Sequence, residues 1–149
     1  MRLLQRGNKR VVENAVVRLN LSAVLDALES GMSIGPMAPL AMQFFDLGDI
    51  DGIPLCFTDG AALPNGDMVF TAIAENTEDS YRDGPCAGAA IGLADSAGNL
   101  RWLRRLDRPH KIEGVSAGAE GGVIRLLLVT DADDAKTPAS LFRATIGDC

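Results

Sequence analysis

The sequence predicts an all-β fold: a partial β-propeller of about two and a half four-stranded antiparallel blades, with one short helix. Three observations predict it. A segment occurs twice: Thr58-Asp59-Gly60-Ala61-Ala62-Leu63 leads through a Pro-Asn-Gly-Asp turn into Met68 to Glu75, and Ile112-Glu113-Gly114-Val115-Ser116-Ala117 leads through a Gly-rich turn into Val123 to Asp131. The copies are 113 − 59 = 54 residues apart, near the roughly 40–50 residues of a propeller blade. Short apolar runs alternate with turns rich in Gly, Pro, Asn and Asp, and only one segment has the look of a helix.

In chain order, Leu3 to Gln5 reads as the tail of a strand, followed by a polar loop to Glu13. Ala15 to Leu21 alternates Val16, Arg18 and Asn20 against Val17, Leu19 and Leu21, the period of a half-buried strand. Ser22 is placed to cap a helix over Ala23 to Glu29, which Gly31 stops. Met42 to Leu47 is a further strand. The first repeat then supplies strands at 58–63 and 68–75, followed by Ala89 to Ala94 and, across the Asp95-Ser96-Ala97-Gly98-Asn99 hairpin turn, Leu100 to Leu106. Arg101, Arg104 and Arg105 give that last strand the charge of a protected edge. The second repeat and Ser140 to Ile146 complete ten strands.

These strands group as an incomplete blade (3–47), a complete one (57–106) and one lacking its outer strand (110–146). A propeller closes with at least about four blades. The expectation is therefore either the C-terminal part of a longer protein, with Met1 an internal methionine, or a chain whose copies associate through open blade edges.

With a net charge of −6 at pH 7, the chain lacks the basic surface that nucleic-acid phosphates require. No apolar run reaches the roughly 18 residues of a membrane span, and Arg125 interrupts the longest one. Arg2 and Arg6 open a segment with no small-residue cleavage site, so no signal peptide is expected. Cys56, Cys86 and Cys149 form no C-x-x-C pair and fit reduced thiols in the cytoplasm.

The pattern Asp46-Leu47-Gly48, Gly52-Ile53-Pro54-Leu55, Phe57 to Pro64, Ala74-Glu75-Asn76-Thr77, Lys111-Ile112-Glu113-Gly114 and Val129 to Asp134 resembles the C-terminal half of an uncharacterised bacterial β-propeller family. Leu4-Gln5-Arg6-Gly7-Asn8 extends the resemblance over most of the chain. The Lys-Ile-Glu-Gly element is also similar to the acid-Gly strands of phytase-like and regucalcin-like propellers. That likeness implies Ca²⁺ or another divalent metal near the central channel, and in some members hydrolysis of phosphoesters or lactones.

In a blade whose strands run up and down, one rim collects Asp59 and Glu113 on inner strands, Glu75 and Asp131 at strand ends, and His110, Lys111, Arg6 and Asn8 in the adjoining loops. Glu78, Asp79, Asp83, Asp133 and Asp134 share that rim. Carboxylates from several loops are the hard oxygen ligands of a divalent metal, and Arg or Lys beside them suits a small anionic ligand. Asp59 and Glu113 are the candidate metal ligands. Glu75 or Asp131 is the candidate base, Lys111 and His110 complete the candidate catalytic set, and Arg6 and Asn8 are candidate substrate-binding groups. The competing reading ties each inner carboxylate to a neighbouring blade's backbone, and leaves Asp131-Ala132-Asp133-Asp134 as a solvated turn and His110 as a solvated loop residue.

Two chemical motifs are excluded. Residues 75–83 lack the order of an EF-hand loop. Gly114-Val115-Ser116-Ala117-Gly118 matches G-x-S-x-G, but it leads into a hairpin rather than a helix, and the single histidine precedes the serine. Trp102 reads as packing between blades. Two functions remain: a metal-assisted hydrolase remnant, or a non-catalytic scaffold that self-associates or recruits a partner through its open edges.

Overall fold

The computed structural model describes residues 1–7, 13–35, 37–77 and 84–147. They form three antiparallel sheets and one short helix, a partial, propeller-like all-β fold. Sheet 1 contains β1 (Arg2–Gln5), β2 (Asn14–Arg18) and β3 (Ala41–Phe45) in that spatial order. Sheet 2 runs in order through β4 (Asp49–Ile50), β5 (Ile53–Ala62), β6 (Met68–Glu75), β7 (Cys86–Ala94) and β8 (Leu100–Arg105). Sheet 3 contains β9 (Ile112–Glu120), β10 (Val123–Thr130) and β11 (Leu141–Gly147), with β10 central.

Several boundaries differ from expectation: β2 ends at Arg18 rather than Leu21, β3 is Ala41–Phe45 rather than 42–47, β7 starts at Cys86 rather than Ala89, and two further differences have a clear local reason. Helix α1 spans Leu21–Glu29 and is capped by Asn20, not Ser22. Asn20 has extended backbone, and its side chain accepts the Ala23 N–H at 3.2 Å, so the helix starts two residues early. Gly31 does end it, with φ of 66°. Strand β5 starts at Ile53 rather than at residue 58, because Asp51 and Gly52 both take positive φ (54° and 76°) and fold Asp49–Ile50 back onto Ile53–Pro54. The expected four-stranded blade is thereby five-stranded, and the chain has eleven strands among the described residues.

The core has two layers, one on each side of sheet 2. Every residue of β6 is buried, and its side chains alternate between the layers, as the two-residue period of a strand requires. Phe70, Ala72 and Ala74 join Val16 and Phe45 of sheet 1. Phe57 meets Phe45 and Phe70 edge to face, with centroids 5.5 and 4.9 Å apart. Val69 and Ile73 point the other way, to Ile112, Leu126 and Leu128 of sheet 3. Trp102 packs at the border of that second layer. Sheets 1, 2 and 3 are thus stacked in chain order, with β9 packed on β5 and β6 and β1 packed on β5.

Polar ties cross both layers. Buried Asn14 on β2 donates to the Leu55 carbonyl at 2.8 Å and accepts the Phe57 N–H at 2.9 Å. It satisfies backbone groups of β5 where sheet 1 meets sheet 2. On the other side, the Thr58 hydroxyl lies 2.8 Å from both the Thr71 hydroxyl and the Ile112 carbonyl.

Candidate functional site

β1 and β6 end, and β9 begins, on one rim of the stack. There Arg6, just beyond β1, donates to Glu75 Oε2 at 2.7 Å, and Lys111 Nζ lies 3.0 Å from Glu75 Oε1. Lys111 also pairs with Asp133 in the loop after β10. An ionic chain Arg6–Glu75–Lys111–Asp133 therefore joins three sheets. Glu75 is its centre, with a side chain only 6 % exposed, against 42 % for Arg6. A carboxylate that buried needs cationic partners, and it has one on each oxygen.

Glu113 completes the cluster. β9 carries a bulge at this point: Ile112 pairs with Thr130 and Gly114 with Val129, leaving Glu113 as the extra residue. A bulge re-aims the side chain it carries. Glu113 Oε1 is buried and receives no hydrogen bond. Burial pushes the Glu113 carboxyl above its ordinary pKa, and Glu75 and Asp133 push the same way, while Arg6 and Lys111 pull it down. Burial is the largest of these influences. Among the described residues, the five groups contain three carboxylates and two cations, one excess negative charge when Glu113 is ionised.

Cys56 and Cys86 lie in the field of this cluster. Burial raises both thiols, with Arg6 lowering Cys56, and a Gly88 backbone hydrogen bond and Lys111 lowering Cys86. Both are free thiols, held away from the thiolate form that nucleophilic chemistry requires. An open cleft of about 700 Å³ adjoins the cluster, lined by Cys86, His110, Lys111, Thr130, Asp131 and Asp133 among others.

The structure divides the sequence-predicted residues. Arg6, Glu75, Lys111 and Glu113 come together, and His110 and Asp131 border the same cleft. His110 rests against the Phe142 ring, with centroids 4.8 Å apart. Asp131 caps its own turn: its carboxylate accepts the Asp133 N–H at 2.9 Å, with Asp133 at φ of 52°. Asp59 stands apart from this cluster. Its Oδ1 accepts the Gly60 N–H and its Oδ2 the Val115 N–H, both at 2.8 Å, so it ties β5 to β9 two residues past Glu113. Asn8, Glu78, Asp79 and Asp83 lie outside the described residues.

Sequence reasoning did not single out Asp133 as a partner of Lys111 or Cys86 as a cleft residue. The 22-residue separation of Lys111 and Asp133 carries no local signal. Among the described residues, no group of three or more His, Cys, Asp or Glu side chains is arranged to hold a metal ion. Glu75 Oε1 also receives no hydrogen bond but is ion-paired with Lys111, Asp133 is paired with the same cation, and Asp59 is held by backbone. That leaves Glu113, among the described residues, as the carboxylate whose buried oxygen has neither hydrogen bond nor ion pair.

No curated protein and no solved structure matches the chain. A protein-family model matches residues 1–135, a span that takes in sheets 1 and 2, β9 and β10 of sheet 3, and every member of the rim cluster. By that match the chain belongs to the family of unknown function DUF6910.

Proposed function

We propose that the rim cluster is a ligand site that takes a hydrated divalent cation through Glu113, with an anionic group, such as a phosphoester, beside Lys111 and Arg6. The observation that carries this reading is the buried Glu113 oxygen that receives no hydrogen bond, set beside Glu75, Lys111 and Arg6. A cation supplies what that oxygen lacks, and its arrival favours the ionised form that burial disfavours.

The residues fit some ions better than others. Ca²⁺ takes about six to eight oxygen ligands, more than this cluster offers, whereas Mg²⁺ keeps several waters and binds through one or two carboxylates plus substrate oxygens. A magnesium-like ion is therefore the favoured occupant. When bound, such an ion polarises a phosphoryl or carbonyl oxygen. Lys111 and Arg6 orient the anionic group, and Glu75 holds both cations in place. The cleft beside His110 and Asp131 gives the substrate its room. The free thiols of Cys56 and Cys86 suit a reducing compartment, which supports a cytoplasmic location.

Thermal unfolding with and without ion tests the reading. An ion at about 100 times its dissociation constant stabilises the folded state by about 2.7 kcal/mol, which for a chain of this size raises Tm by roughly 5–10 °C. Mg²⁺ is expected to raise the wild-type Tm by that order and to leave Glu113→Gln unmoved. A wild-type Tm indifferent to both Mg²⁺ and Ca²⁺ contradicts the proposal.

A further inference from the structure

At the rim opposite the acid cluster, two side chains of sheet 1 reach across to the turns of sheet 2. Arg2 donates to the Gly66 carbonyl in the β5–β6 turn at 2.7 Å, and Gln43 donates to the Gly98 carbonyl in the β7–β8 turn at 2.6 Å. The two turns are themselves tied by the Ser96 N–H, which Asp67 Oδ1 accepts at 2.9 Å. Between these struts a cleft of about 230 Å³ separates the sheets. Val16 and Phe45 of sheet 1 and Met68 and Ala94 of sheet 2 give it an apolar floor, and all four are buried. Arg2 and Arg18 also line it. They pair directly opposite each other across β1 and β2, and they share the inward direction of Leu4 and Val16, two residues along each strand. Arg18 is exposed and Arg2 half-buried, so the pair stands where the cleft opens to water. Like charges so placed, with Cβ atoms about 5 Å apart, destabilise a sheet. Among the described residues, Arg18 makes no ion pair or side-chain hydrogen bond, and Arg2 makes only the Gly66 contact. The one carboxylate in the lining, Asp95, is occupied by the Asn99 N–H and side-chain amide of its own turn.

We propose that this cleft binds a small organic carboxylate, its oxygens between Arg2 and Arg18 and its apolar body on Val16, Phe45, Met68 and Ala94. An anion between the two guanidiniums replaces their repulsion with charge-assisted hydrogen bonds, and the planar fork of arginine matches a carboxylate. The lining holds two arginines and one aspartate. That single excess positive charge is neutralised by a monoanion and overshot by a phosphate dianion. The buried floor favours an organic ion over an inorganic one, because only the former has apolar surface to remove from water. At roughly 30 Å³ per heavy atom, the share of one molecule in liquid water, the cleft takes about eight, the size of hexanoate. This inference does not rest on the proposal for the acid cluster.

The test is titration of butanoate, pentanoate and hexanoate into the full ¹⁵N-labelled chain, followed by amide chemical shifts, with inorganic phosphate and hexan-1-ol as controls. Saturable shifts are expected at Gly66 and from Ala94 to Gly98, with Kd falling about fourfold for each added methylene. Phosphate and hexan-1-ol are expected to bind at least about tenfold more weakly than hexanoate, since each lacks one half of the recognition. Arg18→Glu sets an acid opposite Arg2, so it is expected to raise Tm while weakening hexanoate by about 100-fold or more. A positioning role in the fold alone would not separate those two readouts. Arg18→Gln takes its place if that variant unfolds, with an expected loss of about tenfold. Hexanoate that gives no saturable shift up to about 50 mM, weaker than any useful site, overturns the inference. So does an affinity independent of chain length or matched by phosphate, which marks a plain anion patch. Shifts centred on Glu75 and Lys111 instead, or equal binding by wild type and Arg18→Glu, overturn it as well.

Discussion

Glu113 and Asp59 look alike in the sequence, each an acid before a glycine on an inner strand, but they sit in different physical situations. Asp59 accepts two backbone N–H groups, one of them from the next sheet. Asp59→Ala removes a charged acceptor and leaves the Val115 N–H without a partner, so a loss of about 1.5–3 kcal/mol in urea unfolding is expected. Glu113 has an oxygen with no donor and a pKa raised mainly by burial. Its contribution to stability is full below the ordinary carboxylate pKa and is lost as pH rises through the raised folded value. Glu113→Gln is therefore expected to raise Tm at pH 7.5 without added ion, with the gain shrinking as pH falls through the raised folded value and gone below the ordinary value of about 4.5, where the wild-type group is protonated folded or unfolded. Equal pH profiles for both proteins would show that Glu113 is not desolvated. The acid–glycine pairs were legible in the sequence. The bulge that separates their roles was not, because an extra residue within Ile112-Glu113-Gly114-Val115 leaves no break in composition.

Among the elements, β6 carries the most structure per residue, since it feeds both core layers and ends on Glu75. Its partner β7 must pass close by, and a Cβ at Gly92 would sit 2.1 Å from Phe70 Cζ. Gly92→Ala forces the Phe57–Phe70 pair to move, with an expected cost of about 1–3 kcal/mol in chemical denaturation. Glu75→Gln removes the carboxylate that Arg6 and Lys111 share, while Lys111 keeps Asp133. Removing one partner of a buried ion pair costs about 3–5 kcal/mol, and the partial exposure of Arg6 places the expected loss at the lower end. Strand positions were readable from two-residue alternation and from turns such as Asp95 to Asn99, whose carboxylate accepts the Asn99 N–H at 2.8 Å. The start of β5 had a local signal that the repeat pattern overshadowed: Asp51-Gly52 is the Asp-Gly pair that a two-residue type I′ hairpin favours, and both residues take the positive φ such a turn requires. Likewise Asn20 and Ser22 are both good helix caps, and the backbone leaving β2 selects the first.

At the scale of the whole molecule, the repeat announced stacked antiparallel sheets, and the three groups of strands it marks are the three sheets of the fold. The rim was legible as a direction: strands that alternate up and down must bring Arg6, Glu75, Lys111 and the loop after β10 to the same end. Which side chains pair there was not, since Arg6 and Glu75 are 69 residues apart and meet only through the packing of sheet 1 on sheet 2. The rim cluster has its own chemistry. The most direct test of that chemistry is calorimetric titration of Mg²⁺, and then Ca²⁺, into wild type and Glu113→Gln at pH 7.5. One ion bound per chain, preferring Mg²⁺ and lost in the variant, is the predicted result. No heat from the wild type, or the same isotherm from both proteins, would contradict it.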